Sequence, residues 1–347
     1  MNKHSVMVTG GAGFFGSSLM SLLLKKDEKV ICYDLNLPHF SHENLLSIEG
    51  NILDKNLLQQ SLKDVKIVHH NVAQVPIAKN KKLFWEVNYK GTDVLLDSCL
   101  KANVDKVVFV SSSAVFGVPE SNPVLESTIP KPQEAYGEAK HEAELLCKEY
   151  INRGLNISII RPRTIIGSGR LGIFQILFEW IYQNKNVPVL GSGSNLYQFI
   201  HSDDLASACY SASLVNSPGI YNIGAENFCS MREMLEALIK HSNSSSKVVS
   251  IPKRFTSFMM NFFSFLRLSP LGPYHSLMYG ESMYFDITKA KKELGFNSEY
   301  SNVEMFIQTY DWYVKNRNDI LDGNISGSKH QSKLKQGILS LVPYFLI

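Results

Sequence analysis

Val6-Met7-Val8-Thr9-Gly10-Gly11-Ala12-Gly13-Phe14-Phe15-Gly16, followed by apolar residues at helical spacing (Leu19, Leu22, Leu23), decides the reading of this 347-residue chain. A short β-branched run enters a glycine cluster, and a helix begins inside that cluster. Parallel-sheet folds use this arrangement to set a helix N-terminus against a pyrophosphate, where free amides and the helix dipole favour negative charge. The glycines divide the work. Gly10 permits a tight turn, Gly13 a close backbone approach to phosphate, and Gly16 close packing of helix on sheet. The glycine spacing alone also fits a ligand-free turn. Context separates the two, because a second strand, Lys29-Val30-Ile31-Cys32-Tyr33, ends in Asp34. A carboxylate there accepts both hydroxyls of an adenosine ribose and repels a 2′-phosphate, and no arginine follows closely. The expectation is a dinucleotide site, for NAD rather than NADP.

Outward from this unit, short strands alternate with helical patterns. Leu45-Leu46-Ser47-Ile48 reads as a strand, and Lys66-Ile67-Val68-His69-His70 as another that runs into Asn71-Val72-Ala73-Gln74. The spacing predicts a helix over about 81–102, with Leu83, Val87, Val94, Leu95 and Cys99 on its apolar face. Lys106-Val107-Val108-Phe109-Val110 is nearly all apolar, as a strand buried on both faces must be. A helix over about 134–153 and the strand Asn156-Ile157-Ser158-Ile159-Ile160 complete the pattern. The fold class is α/β, a Rossmann-type doubly wound parallel sheet with a smaller C-terminal substrate lobe. Residues 1–165 read as the NAD-binding core, with later strands returning to it from about 187–225. Residues 166–321 read mostly as the substrate lobe, interleaved with that core. Residues 322–347, rich in Gly, Ser, Asn and Lys, read as a flexible or amphipathic tail.

Bulk properties narrow the function class. The chain is 44% hydrophobic and 19% charged with net charge +3 and no Lys/Arg block, which argues against a nucleic-acid surface. Cys32, Cys99, Cys147, Cys209 and Cys229 are scattered, with no Cys-x-x-Cys pair, so they read as reduced core thiols and no metal is expected. The first strand begins after a few residues, leaving no room for a signal peptide, and no apolar run is long enough to span a bilayer. A cytoplasmic location is the expectation.

A chemical constellation follows the buried strand. That strand delivers Ser111-Ser112-Ser113, and Tyr136-Gly137-Glu138-Ala139-Lys140 opens the next long helix. Tyr136 and Lys140, four apart, share one helical face. An ammonium beside a phenol favours the phenolate, so Tyr136 is expected to act as a base below its ordinary pKa near 10. A serine hydroxyl from the sheet edge would hold the substrate oxygen beside it. These are the parts for removing a proton from an alcohol while hydride leaves its carbon.

These residues resemble the extended short-chain dehydrogenase/reductases, in the NAD-dependent epimerase/dehydratase group, over about residues 4–317. The resemblance rests on the stretches Thr9–Gly16, Gly50–Asp54, Val87–Thr92, Ser111–Gly117, Tyr136–Lys140, Arg161-Pro162, Phe199–Asp204, Phe285–Ala290 and Leu294–Phe296. It implies Ser112, Tyr136 and Lys140 as the catalytic residues, with Lys140 on the nicotinamide ribose. It also implies Asp34 on the adenosine ribose, Asn51 and Ile52 at the adenine, and the Phe14 and Phe15 amides at the pyrophosphate. Gly10, Gly13, Gly16, Val72, Tyr136 and Pro162 complete the implied cofactor contacts. A homodimer through the helices at about 81–102 and 134–153 is implied as well. Asn51 stands where the family usually has Asp, which weakens adenine contact.

Departures from the family pattern sort the branches. Ser113 and Ala114 occupy the positions of the Asp-Glu pair of the 4,6-dehydratases, and Ala114 that of the decarboxylases' Glu, which disfavours both reactions. Tyr197 replaces the usual diphosphate-binding Arg of UDP-sugar epimerases, and Thr164 the usual Asn. Met278, Tyr279 and Gly280 stand where a second Arg is usual. Arg163, Arg170 and Lys185 are substitutes for holding a diphosphate, or else solvated loop charges. The apolar segment 255–268 resembles the substrate lobe of 3β-hydroxysteroid dehydrogenase-like relatives. It reads either as a core helix or as a cap over an apolar substrate or membrane surface, and 333–347 as a membrane or subunit contact. The favoured expectation is a nucleotide-sugar epimerase of the 4-epimerase kind. The alternatives are a 3β-hydroxysteroid-type or other lipid alcohol dehydrogenase, and a catalytically idle NAD-binding protein.

Overall fold

The computed structural model describes residues 5–74, 81–170, 172, 174–252, 278 and 280–322. The segment 255–268 and the tail from 323 onward lie outside them. Seven parallel strands form the main sheet: β1 (Val6–Thr9), β2 (Val30–Asp34), β3 (Leu45–Glu49), β4 (Ile67–His70), β5 (Lys106–Val110), β6 (Ile157–Pro162) and, much later, Gly219–Ile223. Their order across the sheet is Gly219–Ile223, β6, β5, β4, β1, β2, β3. The direction of winding therefore reverses between β1 and β4. In doubly wound sheets the crevice at the carboxyl ends of such a pair is where ligands bind.

Helices cover both faces, as a buried parallel sheet requires. Alternate residues of β1 and β5 face opposite layers. Val6, Val8, Val108 and Val110 pack in one core with α1 (Phe14–Lys25). Met7, Val107 and Phe109 pack in the other, beneath Leu95, Leu96 and Cys99 of one helix and Leu146 and Cys147 of another. α2 (Lys55–Ser61) begins on Asp54, whose side chain accepts from the Leu57 amide.

The helix predicted over 81–102 is continuous but not uniform. It opens as α3 (Lys81–Leu83), widens into a π-helix over Phe84–Lys90, and closes as α4 (Gly91–Lys101). The other predicted helix is α5 (Ala135–Asn152). The sequence places returning strands across 187–225, and here the structure differs. After β7 (Thr164–Ile166) and α6 (Phe174–Tyr182) come β8 (Val187–Leu190), β9 (Phe199–His201), α7 (Ser202–Ser213) and β10, the Gly219–Ile223 strand. Only β10 reaches the main sheet, pairing with β6. β9 pairs with β7, while β8 pairs with β11 (Val248–Ile251), beyond α8 (Met231–His241). The short β8 and β9 add instead to small parallel ladders; Ile200 of β9 still packs in the core beside α1, while Val187, Val189 and Phe199 enter a third core. That core joins Phe178, Phe199, Met231 and Leu235 to Phe306 and Tyr310. The last two lie on α10 (Asn302–Asp322), which follows α9 (Thr288–Leu294).

All five cysteines are free, four of them buried. Among the described residues no helix is long and apolar enough to cross a membrane, and no cluster of metal-ligating side chains occurs.

Candidate active site

The glycine turn and the loop after β4 meet at the crevice. Gly10 has φ +71°, and a Cβ there would lie 2.9 Å from the Val72 amide nitrogen, so the turn accepts only glycine. The expectation that Gly16 lets α1 sit close to the sheet is corrected in detail. What a side chain at Gly16 would strike is the turn itself, the Gly10 carbonyl and Gly11 Cα, because the helix folds back over its own entry. Gly13 is the N-cap of α1, with no side-chain cap and no acidic residue in the first turn. The helix therefore offers free amides, at Phe14 and Phe15 among others, to an anion.

Asp34 ends β2 beside this turn. Its Oδ2 accepts from the Ala12 amide at 3.1 Å and its Oδ1 from the Asn36 amide at 3.1 Å. Burial pushes its carboxyl above the ordinary range, opposed by these amides. Asn51 is exposed, and its Oδ1 accepts from Leu53 N at 3.0 Å. The Ile52 side chain is turned into the core, where it faces Gly91, so only its backbone is left to meet a ligand. Pro162 is buried at the end of β6, in register with Ile223.

On the other side of the crevice, Ser112 caps a 3-10 turn, Ser113–Phe116, its Oγ accepting from Ala114 N at 3.1 Å. Tyr136 lies in the first turn of α5, buried among Phe84, Ala114 and Ala139, with the Ser112 hydroxyl near enough to lower its pKa. Two features set that position. Glu134 caps α5, accepting from Tyr136 N at 2.8 Å and Gly137 N at 2.6 Å. The Phe84 ring, on the π-helix, stands edge-on to the Tyr136 ring with centroids 6.0 Å apart. Lys140 is buried, its Nζ donating to the Val110 carbonyl at 2.9 Å.

The electrostatics correct one expectation. The sequence makes the Lys140 ammonium the group that acidifies the phenol. In the structure burial dominates and pushes Tyr136 up to about 12. The groups pulling it down are the Ser112 hydroxyl and the Arg170 guanidinium, while the Glu134 carboxylate pushes it further up. Lys140 is itself lowered to about 8 by burial, with Cys147 and Glu144 opposing. Beneath both residues Glu144 accepts two parallel hydrogen bonds from the Arg161 guanidinium, at 2.9 and 2.6 Å, and one from the Ser111 hydroxyl at 2.6 Å.

The three substitute arginine and lysine positions behave differently. Arg163 is buried, donates Nε to the Gln198 carbonyl at 3.2 Å and stacks 4.6 Å from the Tyr197 ring. Lys185 lies beyond α6, its amide bonded to the Trp180 carbonyl. Of the three, Arg170 reaches the crevice. The two departures at Thr164 and Tyr197 meet each other, hydroxyl to hydroxyl, at 3.1 Å. Sequence reasoning passed over Glu134 and Gly137 as site-shaping residues. Glu is an uncommon N-cap, which hides the first, while Gly137 stood in plain view inside the Tyr136–Lys140 stretch.

Known proteins share the family pattern and the fold. The family described as NAD dependent epimerase/dehydratase matches residues 6–224. An uncharacterized protein of Sinorhizobium fredii, y4nG, is 52% identical over 99% of this chain and 86% of its own. The UDP-glucose 4-epimerase of Halalkalibacterium halodurans is 31% identical, over 67% of this chain and 78% of its own. Among solved structures, the UDP-glucuronic acid 4-epimerase of Bacillus cereus in complex with NAD superposes with a TM-score of 0.73 at 24% identity, over 90% of this chain and 98% of that one.

Proposed function

The chain belongs to the NAD-dependent epimerase/dehydratase family, and from that premise we propose that it is a nucleotide-sugar epimerase of the 4-epimerase kind. As an NAD-dependent enzyme it needs a dinucleotide cradle. The turn that admits only glycine at Gly10, the uncapped α1 and the Asp34 carboxylate fit that group. Bound NAD supplies the acceptor, and then the donor, of the hydride at the reacting sugar carbon. Tyr136, as the phenolate that the Ser112 hydroxyl and the Arg170 guanidinium favour against burial, takes the proton from the sugar hydroxyl and returns it once the keto sugar has turned over. Ser112 holds the sugar oxygen beside the phenol, and Lys140 holds the nicotinamide ribose. Ser113 and Ala114 offer no acid for eliminating water, which disfavours dehydration and leaves oxidation of the alcohol carbon, with or without re-reduction.

The observation that carries this reading is the Tyr136 phenol buried close enough to the Ser112 hydroxyl to be pulled down by it, across the crevice from the free end of α1. The test is incubation with NAD and UDP-glucose, UDP-galactose, UDP-glucuronate or their dTDP counterparts, followed by proton NMR and absorbance at the NADH band. Interconversion of C4 epimers without NADH accumulation, lost in Tyr136→Phe while NAD still binds, is expected. Stoichiometric NADH release from an alcohol substrate would replace the epimerase with a dehydrogenase.

A further inference from the structure

Arg170 follows β7 in a tight turn in which its amide donates to the Gly167 carbonyl at 3.0 Å. Its guanidinium lies 5.4 Å from the ring of Phe14, the first residue of α1, and is close enough to Tyr136 for each to shift the other's ionisation. Of the other inward-facing guanidinium groups, Arg161 has Glu144 and Arg317 has Glu179, while Arg163 donates Nε to the Gln198 carbonyl and lies against the Tyr197 and Phe285 rings, its two terminal nitrogens buried without partners. Among the described residues none pairs with that of Arg170, although it is half-buried. A cation drawn from water without an anion is costly, and an anion brought from outside relieves that cost. Burial lowers its pKa to about 10, in keeping with an uncompensated charge.

The neighbour across Phe14 is the positive end of α1, which also lacks an acid or a side-chain cap. Two cationic features thus converge on one place. We propose that Arg170 binds the cofactor's pyrophosphate, closing over it from the β7 side while the α1 amides hold it from below. The planar fork of a guanidinium suits two phosphate oxygens at once, which an ammonium does not. Arg170 thereby links the phosphate end of the cofactor to the phenol that performs the chemistry. This inference rests on the NAD reading above.

The test is calorimetric titration of the whole protein with NAD, ADP-ribose, adenosine, UDP-glucose and UDP-glucuronate, in wild type, Arg170→Met and Arg170→Lys. Melting curves check that each variant is folded. The Met variant is expected to lose about tenfold to a hundredfold in affinity for NAD and ADP-ribose, the scale of a charge-assisted hydrogen bond. The Lys variant should fall between, and adenosine should bind all three alike. Unchanged NAD affinity in a folded Met variant overturns the assignment. So does unchanged NAD affinity with selective loss of UDP-glucuronate over UDP-glucose, which gives Arg170 to a substrate carboxylate. A wild type that binds none of the dinucleotides overturns the NAD reading itself, and this inference falls with it.

Discussion

The first turn of α5 rests on the carbonyl of Ala114: a Cβ built on Gly137 would lie 2.5 Å from that oxygen and 3.1 Å from Glu134 Oε1. This contact brings Tyr136 alongside Ser112, because the 3-10 turn that Ser112 caps begins one residue before Ala114. The pairing of phenol and hydroxyl is therefore a consequence of backbone approach, with Glu134 fixing the helix end.

Gly137→Ala is expected to push α5 off the turn. Overpacking against backbone costs about 1–3 kcal/mol, and small misplacements of reacting groups cost catalysis disproportionately. The variant should melt a few degrees lower and lose about tenfold or more in turnover with NAD binding retained. Wild-type turnover would show that the contact does not set the site.

Acid should unfold the protein through its buried histidines. His69 lies between Val8 and Val108 in the sheet, wholly buried, with neither ring nitrogen bonded. His70 is bonded to Thr9 and Thr92, at 2.8 and 3.0 Å. Burial lowers both to about 3, with the Lys140 charge adding to the effect at His70. An unfolded histidine takes its proton near pH 6.5. Between these values the unfolded chain binds more protons, so stability is full above about pH 6.5 and falls as pH drops towards 3. Melting temperatures of His69→Leu should decline less steeply than wild type over that window. Parallel slopes would remove His69 as a source of the acid sensitivity.

The parts readable from sequence are those written in local backbone or in periodicity. The glycine turn announces itself because positive φ and close approach exclude side chains, and β5 because burial on both faces forbids polar residues. The π-helical stretch does not, since Leu83, Val87 and Val94 satisfy a helical apolar stripe whether or not one turn is widened. Nor does the ionisation of Tyr136, since the spacing to Lys140 is local while the burial that dominates is tertiary. Arg170 is one charge in a loop, and its place opposite Phe14 comes from the path of β7.

The widened turn has a consequence of its own. It lets Asn88 face the loop after β4, where its Oδ1 accepts from Gln74 N at 2.7 Å and its Nδ2 donates to Gln74 O at 3.0 Å. Asn88→Ala leaves both backbone groups without these partners. A loss of about 1–3 kcal/mol in stability is expected, with weaker NAD binding as the crevice wall loosens. Denaturant titration and calorimetry read the two effects. An unaltered protein would mean that water replaces the amide at no cost.

Cofactor choice should turn on Asp34. Its carboxylate would face the 2′-phosphate of NADP, and close like charges at a protein surface repel by up to ~4 kcal/mol. Asp34→Asn removes the charge and keeps an acceptor for the Ala12 amide. The ratio of NADP to NAD affinity should rise by about tenfold or more, since much of that repulsion goes with the charge. A ratio that does not move would place the adenosine ribose away from β2.

The ion pair under the site should behave as a unit. Arg161 and Glu144 are both buried, and Glu144 also accepts from Ser111, the residue before Ser112. Arg161 reaches the Glu126 carbonyl at 3.3 Å and lies 4.9 Å from the Phe116 ring, so β5, α5, β6 and the loop at Glu126 converge on it. Glu144→Gln leaves a guanidinium with no anion in the core and should cost roughly 3–5 kcal/mol, whereas removing both charges costs less than the sum of the single changes. A double-mutant cycle of Glu144→Gln and Arg161→Met, read by urea denaturation, measures the difference. Strong coupling would mean that the two charges, rather than the packing around them, join these elements. Additive costs would instead mean that packing, not charge, joins these elements.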